Sequence, residues 1–273
     1  MRFLVSILLI AVLAGCGKSV NKILKSKDAP YKLKIADQYY AKKKYGKAQL
    51  IYNDVIPYYK ASPEAQDIYY KNAYAAYYQK DYEQAENIFK EFLEAFPNSL
   101  KYEEVEYMRA YSFYKRSPKP ELDQTNTIKA IGMLQTFVNT HPNSVRNTEA
   151  TRLIEELRNK LETKEYRAAK LYYDMEQYRA AAVAFTTLLD NYPESASADE
   201  YKLMAVKSYF LFAEKSIYEK KAERFGQVIT ECDDFINRFP DSKYRKQIEN
   251  YITLSQQQLK TINNNNEQIK ASA

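Results

Sequence analysis

Four times the chain closes an apolar, helically spaced run with the same pattern: Phe96-Pro97-Asn98-Ser99, His141-Pro142-Asn143-Ser144, Tyr192-Pro193-Glu194-Ser195 and Phe239-Pro240-Asp241-Ser242. The prolines lie 45, 51 and 47 residues apart. Proline ends a helix because it lacks an amide proton and clashes with the preceding turn. The Ser two residues later is suited to N-cap the helix that follows. Self-similarity at this period marks an array of helical repeats rather than a globular enzyme domain.

The fourth copy shows the repeat most plainly. Ala169 and Tyr172-Tyr173 fall on a first helix and Tyr178 follows the turn; Ala181, Phe185 and Leu188 then form one stripe of a second helix before Pro193. A small residue permitting close helix approach, a ring beside it and a terminal Pro make the tetratricopeptide (TPR) pattern of about 34 residues. The first copy offers Ala36, Tyr39, Tyr45, Ala48 and Tyr52, with its Pro displaced to Pro63. The second offers Tyr82, Ala85, Phe89 and Pro97, but its turn after Tyr77-Tyr78 is one residue short. The third offers Ala130, Leu134, Phe137 and Pro142, with Ser117-Pro118-Lys119-Pro120 opening an insertion. In the fifth, Val228, Cys232, Phe235 and Pro240 hold the places.

The expected fold is therefore all-α, a TPR-type α-solenoid of about five helix-turn-helix repeats with a C-terminal capping helix. The boundaries read 30–63, 64–98, 99–143, 144–194 and 195–242, then a capping helix over 243–262 and a disordered tail over 263–273, which opens with four Asn. Scarce Gly, five in all, and the lack of alternating β-branched runs agree. The 27 Tyr and absence of Trp are unusual. Tyr is expected to fill large core positions with its hydroxyl reaching water, rather than to build a dedicated aromatic box.

Residues 1–15 have a positive start, a short apolar core and small residues before Cys16, the features of a secretory signal peptide. Leu13-Ala14-Gly15-Cys16 resembles the bacterial lipobox, which implies cleavage after Gly15, a diacylglycerol thioether on Cys16 and acylation of the new amino group. Several acyl chains make a stable anchor. Gly17, where inner-membrane lipoproteins of enterobacteria carry Asp, implies the periplasmic face of the outer membrane. Residues 16–29 read as a lipidated basic linker. From Cys16 to Lys60, eleven Lys oppose three Asp, a surplus of +8, against −3 for residues 61–273. This segment suits either anionic headgroups or an acidic partner. Nucleic acid has no motif here.

Catalytic chemistry finds no support. The one His, His141, stands before a repeat-ending Pro, too few ligands exist for a metal site, and no phosphate loop or Gly-x-Ser-x-Gly occurs. Neither an enzyme nor a cofactor is expected. Cys232 reads as a buried packing thiol.

The passage Arg152-Leu153-Ile154-Glu155-Glu156-Leu157-Arg158-Asn159-Lys160-Leu161 runs on through Glu165 and Tyr172-Tyr173 to Tyr178, Ala181-Ala182, Phe185 and Tyr192-Pro193. With the lipobox and the repeat number, it resembles the BamD family, TPR lipoproteins of the outer-membrane β-barrel assembly machinery. The resemblance implies a non-enzymatic scaffold that binds a BamA-like barrel protein through its POTRA domains, mainly by C-terminal repeats, and receives unfolded outer-membrane protein clients on N-terminal repeats. Stacked first helices would offer an extended client a groove, toward which the repeat register points Asp37, Tyr40, Lys71, Tyr78 and Tyr114. An exposed ridge of Lys160, Glu162, Lys164, Glu165 and Arg167 is the candidate BamA-docking surface. The competing expectation is another periplasmic TPR lipoprotein, a cell-envelope or peptidoglycan-associated adaptor. A SusD-type glycan-binding lipoprotein is a third, disfavoured by the missing Trp.

Overall fold

A computed structural model of the chain describes residues 20–272. Cys16 and the signal sequence lie outside the described residues. Twelve helices run through the described part: α1 (Val20–Leu24), α2 (Ala29–Ala41), α3 (Tyr45–Tyr59), α4 (Ala65–Tyr78), α5 (Tyr82–Ala95), α6 (Tyr102–Arg116), α7 (Thr125–Thr140), α8 (Asn147–Asp174), α9 (Tyr178–Asn191), α10 (Ala198–Glu214), α11 (Tyr218–Arg238) and α12 (Arg245–Ser272). From α2 to α11 they pair as TPR-type helix-turn-helix repeats, and α12 follows as the cap. Two compact units divide the chain, up to Leu157 and from Arg158.

The turns between repeats are four copies of one hydrogen-bond pattern. The Ser amides of Ser99, Ser144, Ser195 and Ser242 donate to the carbonyls of Phe96, His141, Tyr192 and Phe239 at 3.0–3.1 Å, closing turns with Pro in second place. Each Ser Oγ then accepts from the amide two residues on, those of Lys101, Arg146, Ser197 and Tyr244, at 3.0–3.1 Å. The Ser residues thus cap the turn that leads into the helix. The expected N-cap position falls instead on Lys101 and Ser197, one residue before α6 and α10.

The turns within repeats are equally regular and correct the reading of repeat two. Lys43, Lys80 and Glu176 all have positive φ, between 56° and 64°. Their amides donate to Tyr40, Tyr77 and Tyr173, and the next amides donate to Tyr39, Ala76 and Tyr172. This is one left-handed helix ending used three times, and the second helix starts two residues later at Tyr45, Tyr82 or Tyr178. Repeat two is therefore full length. The partner of Tyr40 and Tyr173 is Tyr77, and Tyr78 lies one place further along.

Unit 1 has two cores. Ile23, Ala36, Ala48, Ile51, Tyr52 and Val55 close the first, and Ala85, Phe89, Phe92, Ala130, Leu134, Phe137, Leu153 and Leu157 anchor the second. α1 belongs to the first core through buried Ile23, so the segment expected as linker contains a packed turn of helix. The insertion before α7 is ordered by buried Gln124, whose Nε2 donates to the carbonyls of Lys119 (2.8 Å) and Leu122 (3.0 Å) while its Oε1 accepts from Thr127.

Unit 2 packs Ala169, Ala181, Phe185 and Leu188 in one cluster and Phe225, Val228, Cys232, Phe235 and Ile248 in another. Burial, then neighbouring Asp233, pushes the Cys232 thiol up to about 12, in keeping with an inert packing residue. α12 does not stop at 262 but stays helical through Ser272. Ile262 is buried, and Tyr218 Oη donates to the Ile262 carbonyl (3.2 Å) and to Asn266 Oδ1 (3.1 Å), which ties down the first turns of the Asn-rich run.

Candidate functional site

Tyrosine meets carboxylate along the first helices of the repeats. From α4, Tyr70 and Tyr74 both donate to Glu104 Oε1 on α6, at 3.0 and 2.5 Å. From α6, Tyr114 donates to Glu156 on α8 at 2.9 Å. In unit 2, Tyr166 of α8 donates to Glu200 of α10 (3.2 Å), and Tyr201 of α10 returns to Glu162 of α8 (2.7 Å). Tyr52 donates to Asp37 at 2.8 Å. These hydroxyls were expected to reach water. They end on anionic acceptors, roughly twice as strong as neutral ones.

Four of the five groove candidates come together in unit 1. Asp37 Oδ1 accepts from Lys71 Nζ at 2.9 Å, joining α2 to α4. Burial opposes the Lys71 charge, but hydrogen bonds to Asp67 and Asp37 outweigh it and raise its pKa. Burial likewise works against the Asp67 carboxylate, and Lys71 with Lys101 reverses this and lowers its pKa. Tyr40 lies edge-on to Tyr45 (5.5 Å between centroids) and Tyr52 (6.3 Å), and Tyr45 lies 4.7 Å from Tyr78. Burial, then the nearby Tyr78 and Tyr45, hold the Tyr40 hydroxyl far above its usual pKa.

Tyr114 stands in the next repeat but joins the same ring series: Tyr78 touches Tyr77, Tyr77 lies 6.3 Å from Tyr111, and Tyr111 stacks on Tyr114 at 5.3 Å. Sequence reasoning missed Tyr45, Tyr74, Tyr77 and Tyr111 as members. Their available signal was spacing, since Tyr74 precedes Tyr78 by one helical turn. Beside Asp37, an open groove of about 740 Å³ is lined by Leu33, Ala41 and Tyr59 with Lys34 and Glu64 at its polar edge.

The docking ridge is only partly as expected. Glu162 and Glu165 turn inward, Glu162 to Tyr201 and Glu165 to Asn191 Nδ2 (2.9 Å) and Tyr192 Oη (3.2 Å). Lys160 and Lys164 are half-buried, and Arg167 alone of the five is exposed. Helical spacing continues the exposed line from Arg167 to Leu171 and Met175, each 58% exposed despite an apolar side chain. Glu162 also lines a polar pocket of about 530 Å³ with Glu194, Glu200, Tyr166 and Tyr201.

His141 Nε2 sits 2.6 Å from Glu106 Oε2, and its ring packs on Phe137. Among the described residues no group of three or more His, Cys, Asp or Glu could hold a metal ion, and no helix is long and apolar enough to cross a membrane.

Helices paired in successive repeats and closed by a capping helix define a TPR-type protein, a class that works by binding other proteins. The family model YfiO, described as an outer membrane lipoprotein, matches residues 26–223, and the chain belongs to this family of BamD-like TPR lipoproteins. It is a non-enzymatic, lipid-anchored scaffold on the periplasmic side of the outer membrane, acting in the β-barrel assembly complex with a BamA-type barrel protein and unfolded outer-membrane protein clients. The comparison with curated proteins gave no match. One similar solved structure is the TPR2AB-domain:pHSP90 complex of yeast Sti1, 14% identical, covering 84% of this chain and 98% of that one at a TM-score of 0.38. A likeness at that level carries no argument.

Proposed function

We propose that the two tasks of the scaffold fall on different units. Unit 1 receives the client: an extended segment lies along α2, α4 and α6, its aromatic side chains meeting the ring series from Tyr40 to Tyr114. Lys34, on the lining of the open groove beside Asp37, is the cation offered to a carboxylate end. The observation that carries this is the run of ring contacts joining Tyr40, Tyr45, Tyr78, Tyr77, Tyr111 and Tyr114. Tyrosine suits the task because it offers rigid area with a hydrogen-bonding tip.

Unit 2 docks the barrel protein through the stripe formed by Arg167 and Leu171 on α8 and Met175 in the turn just after it. Arg and apolar anchors carry binding energy at interfaces, and exposed apolar residues in a row mark such surfaces. Cys16 carries the lipid.

Photocrosslinking and solution binding test the division in the full chain. Tyr78→Ser with Tyr111→Ser should abolish crosslinks to a C-terminal client peptide and leave POTRA binding intact. Leu171→Lys with Met175→Lys should do the reverse. Equal loss of both activities in either double variant, with helical content unchanged, would overturn the division.

A further inference from the structure

We propose that the first repeat lies against the bilayer itself, presenting Lys42, Lys43, Lys44 and Lys47 to anionic phospholipid headgroups. This rests on Cys16 being the anchor. The four lysines are exposed at the turn between α2 and α3 and on the first turn of α3. Leu50, one turn beyond Lys47 on the same face and 56% exposed, adds an apolar side chain to the basic cluster.

Three observations select a membrane as occupant. First, the acids of this segment are spent elsewhere. Asp28 caps α2 at the amide of Tyr31, Asp37 takes Tyr52 and Lys71, and Asp54 pairs with buried Lys32 at 2.6 Å. Among the described residues no carboxylate pairs with Lys42, Lys43, Lys44 or Lys47, so their charge faces outward uncompensated. Second, the tether is short. Three residues separate Cys16 from Val20, four steps that span about 14 Å at full extension, and Ile23 is already fixed in the core of the first repeat. The start of the repeat therefore stays close to the lipid surface. When α2, about 20 Å long, lies along that surface, the orientation proposed, it brings the lysine turn within the screening length of about 8 Å at physiological salt. Third, the basic surplus stops with this repeat, since residues 61–273 sum to −3. Polybasic surfaces beside a lipid anchor gain from anionic headgroups in this way. Held so, the repeat would orient the client groove relative to the bilayer.

The test uses the mature chain, residues 16–273, carrying Cys16→Ser so that acyl chains contribute nothing. Co-sedimentation is measured with vesicles of three parts phosphatidylethanolamine to one part phosphatidylglycerol, and with phosphatidylcholine alone. The expected result is binding to the first and not the second, weakened as the screening length falls toward about 3 Å at 1 M salt. Changing Lys42, Lys43, Lys44 and Lys47 to Gln should weaken it at least about tenfold, given the per-lysine gain known for such surfaces. The same change at Lys220, Lys243, Lys246 and Lys260, exposed in unit 2, should leave it unchanged. Equal binding to both vesicle types overturns the proposal, as does an equal loss from the two quadruple variants. Fatty-acid labelling of the wild-type chain reads the anchor separately: a labelled chain without headgroup selectivity sinks the docking face and spares Cys16.

Discussion

Tyr74 and Glu104 meet across consecutive repeats, hydroxyl to carboxylate at 2.5 Å, and Tyr70 shares the same oxygen at 3.0 Å. One acceptor thus serves two tyrosines whose hydroxyl pKa values are both raised, by burial first. Replacing Glu104 by Leu should strand both hydroxyls and destabilise unit 1 by about 1–3 kcal/mol. Tyr74→Phe, which removes one donor and leaves Glu104 with Tyr70, should cost only about 0.5–1.5 kcal/mol. Urea melts followed by circular dichroism decide the order, and a Tyr74→Phe cost as large as that of Glu104→Leu would contradict the shared-acceptor account.

The same hydroxyls make stability depend on alkaline pH. Burial chiefly holds Tyr70, Tyr77, Tyr107 and Tyr201 up at about 12. Below the ordinary tyrosine value of about 10 both folded and unfolded chains keep these protons and stability is complete. Above it the unfolded chain ionises first and binds fewer protons, so stability falls as pH rises from about 10 to about 12. Phenolate absorbance should rise in two stages, with exposed tyrosines first and the rest together with loss of helix. A single stage near pH 10 with the helices intact would refute it.

Most of the repeat architecture was legible because Pro and small-residue spacing act locally. Ala48, Ala85, Ala130 and Ala181, read from spacing alone, are all fully buried. Tyr-rich runs are where legibility failed. Tyr77-Tyr78 offers two registers of equal composition, and only the left-handed residue at Lys80 selects one. Glu162 and Glu165 read as solvated because a lone helix cannot show that Tyr201 and Tyr192 come back to them from later elements. Arg167 is the one member of that ridge that stays exposed, as its spacing on the helix leads one to expect.

The three left-handed turn residues yield a stabilising prediction. An L side chain in this region carries strain that glycine avoids, and glycine is the usual residue there. Lys80→Gly should therefore stabilise unit 1 by about 0.5–1 kcal/mol, and Glu176→Gly should do likewise in unit 2. Lys80→Gly should also keep Tyr77 and Tyr78 in their present register. Thermal melts check the sign. A fall in midpoint for both would show that the turn is not left-handed in solution.

Ala181 and Phe185 should fail by opposite means. Both are fully buried in unit 2. Phe185→Ala leaves a cavity and should cost about 3–5 kcal/mol, whereas Ala181→Tyr forces a ring into a close helix approach and should cost about 1–3 kcal/mol or more. Calorimetry showing an unchanged melt for either variant would mean that α8 and α9 do not pack through this stripe.

The four inter-repeat serines should not be equivalent, although their backbone turns are. Ser144 and Ser242 accept from the amide ahead and also donate, Ser144 to Glu103 Oε1 on α6 at 2.5 Å and Ser242 to Asp199 Oδ2 on α10 at 2.7 Å. Each therefore staples the end of one repeat to the start of the same repeat's first helix. Ser99 caps Lys101 alone, with no carboxylate accepting from it among the described residues. Loss of a cap costs about 0.5–2 kcal/mol, and a hydrogen bond to a charged group adds about 1.5–3 kcal/mol where it is shielded. The half-exposed carboxylates place the addition at the lower end. Ser144→Ala and Ser242→Ala should thus destabilise more than Ser99→Ala, and the excess should disappear in the Glu103→Ala and Asp199→Ala backgrounds, which remove the acceptor. A double-mutant cycle on each pair reads that excess directly. Coupling near zero at both pairs would reduce these serines to turn caps and nothing more.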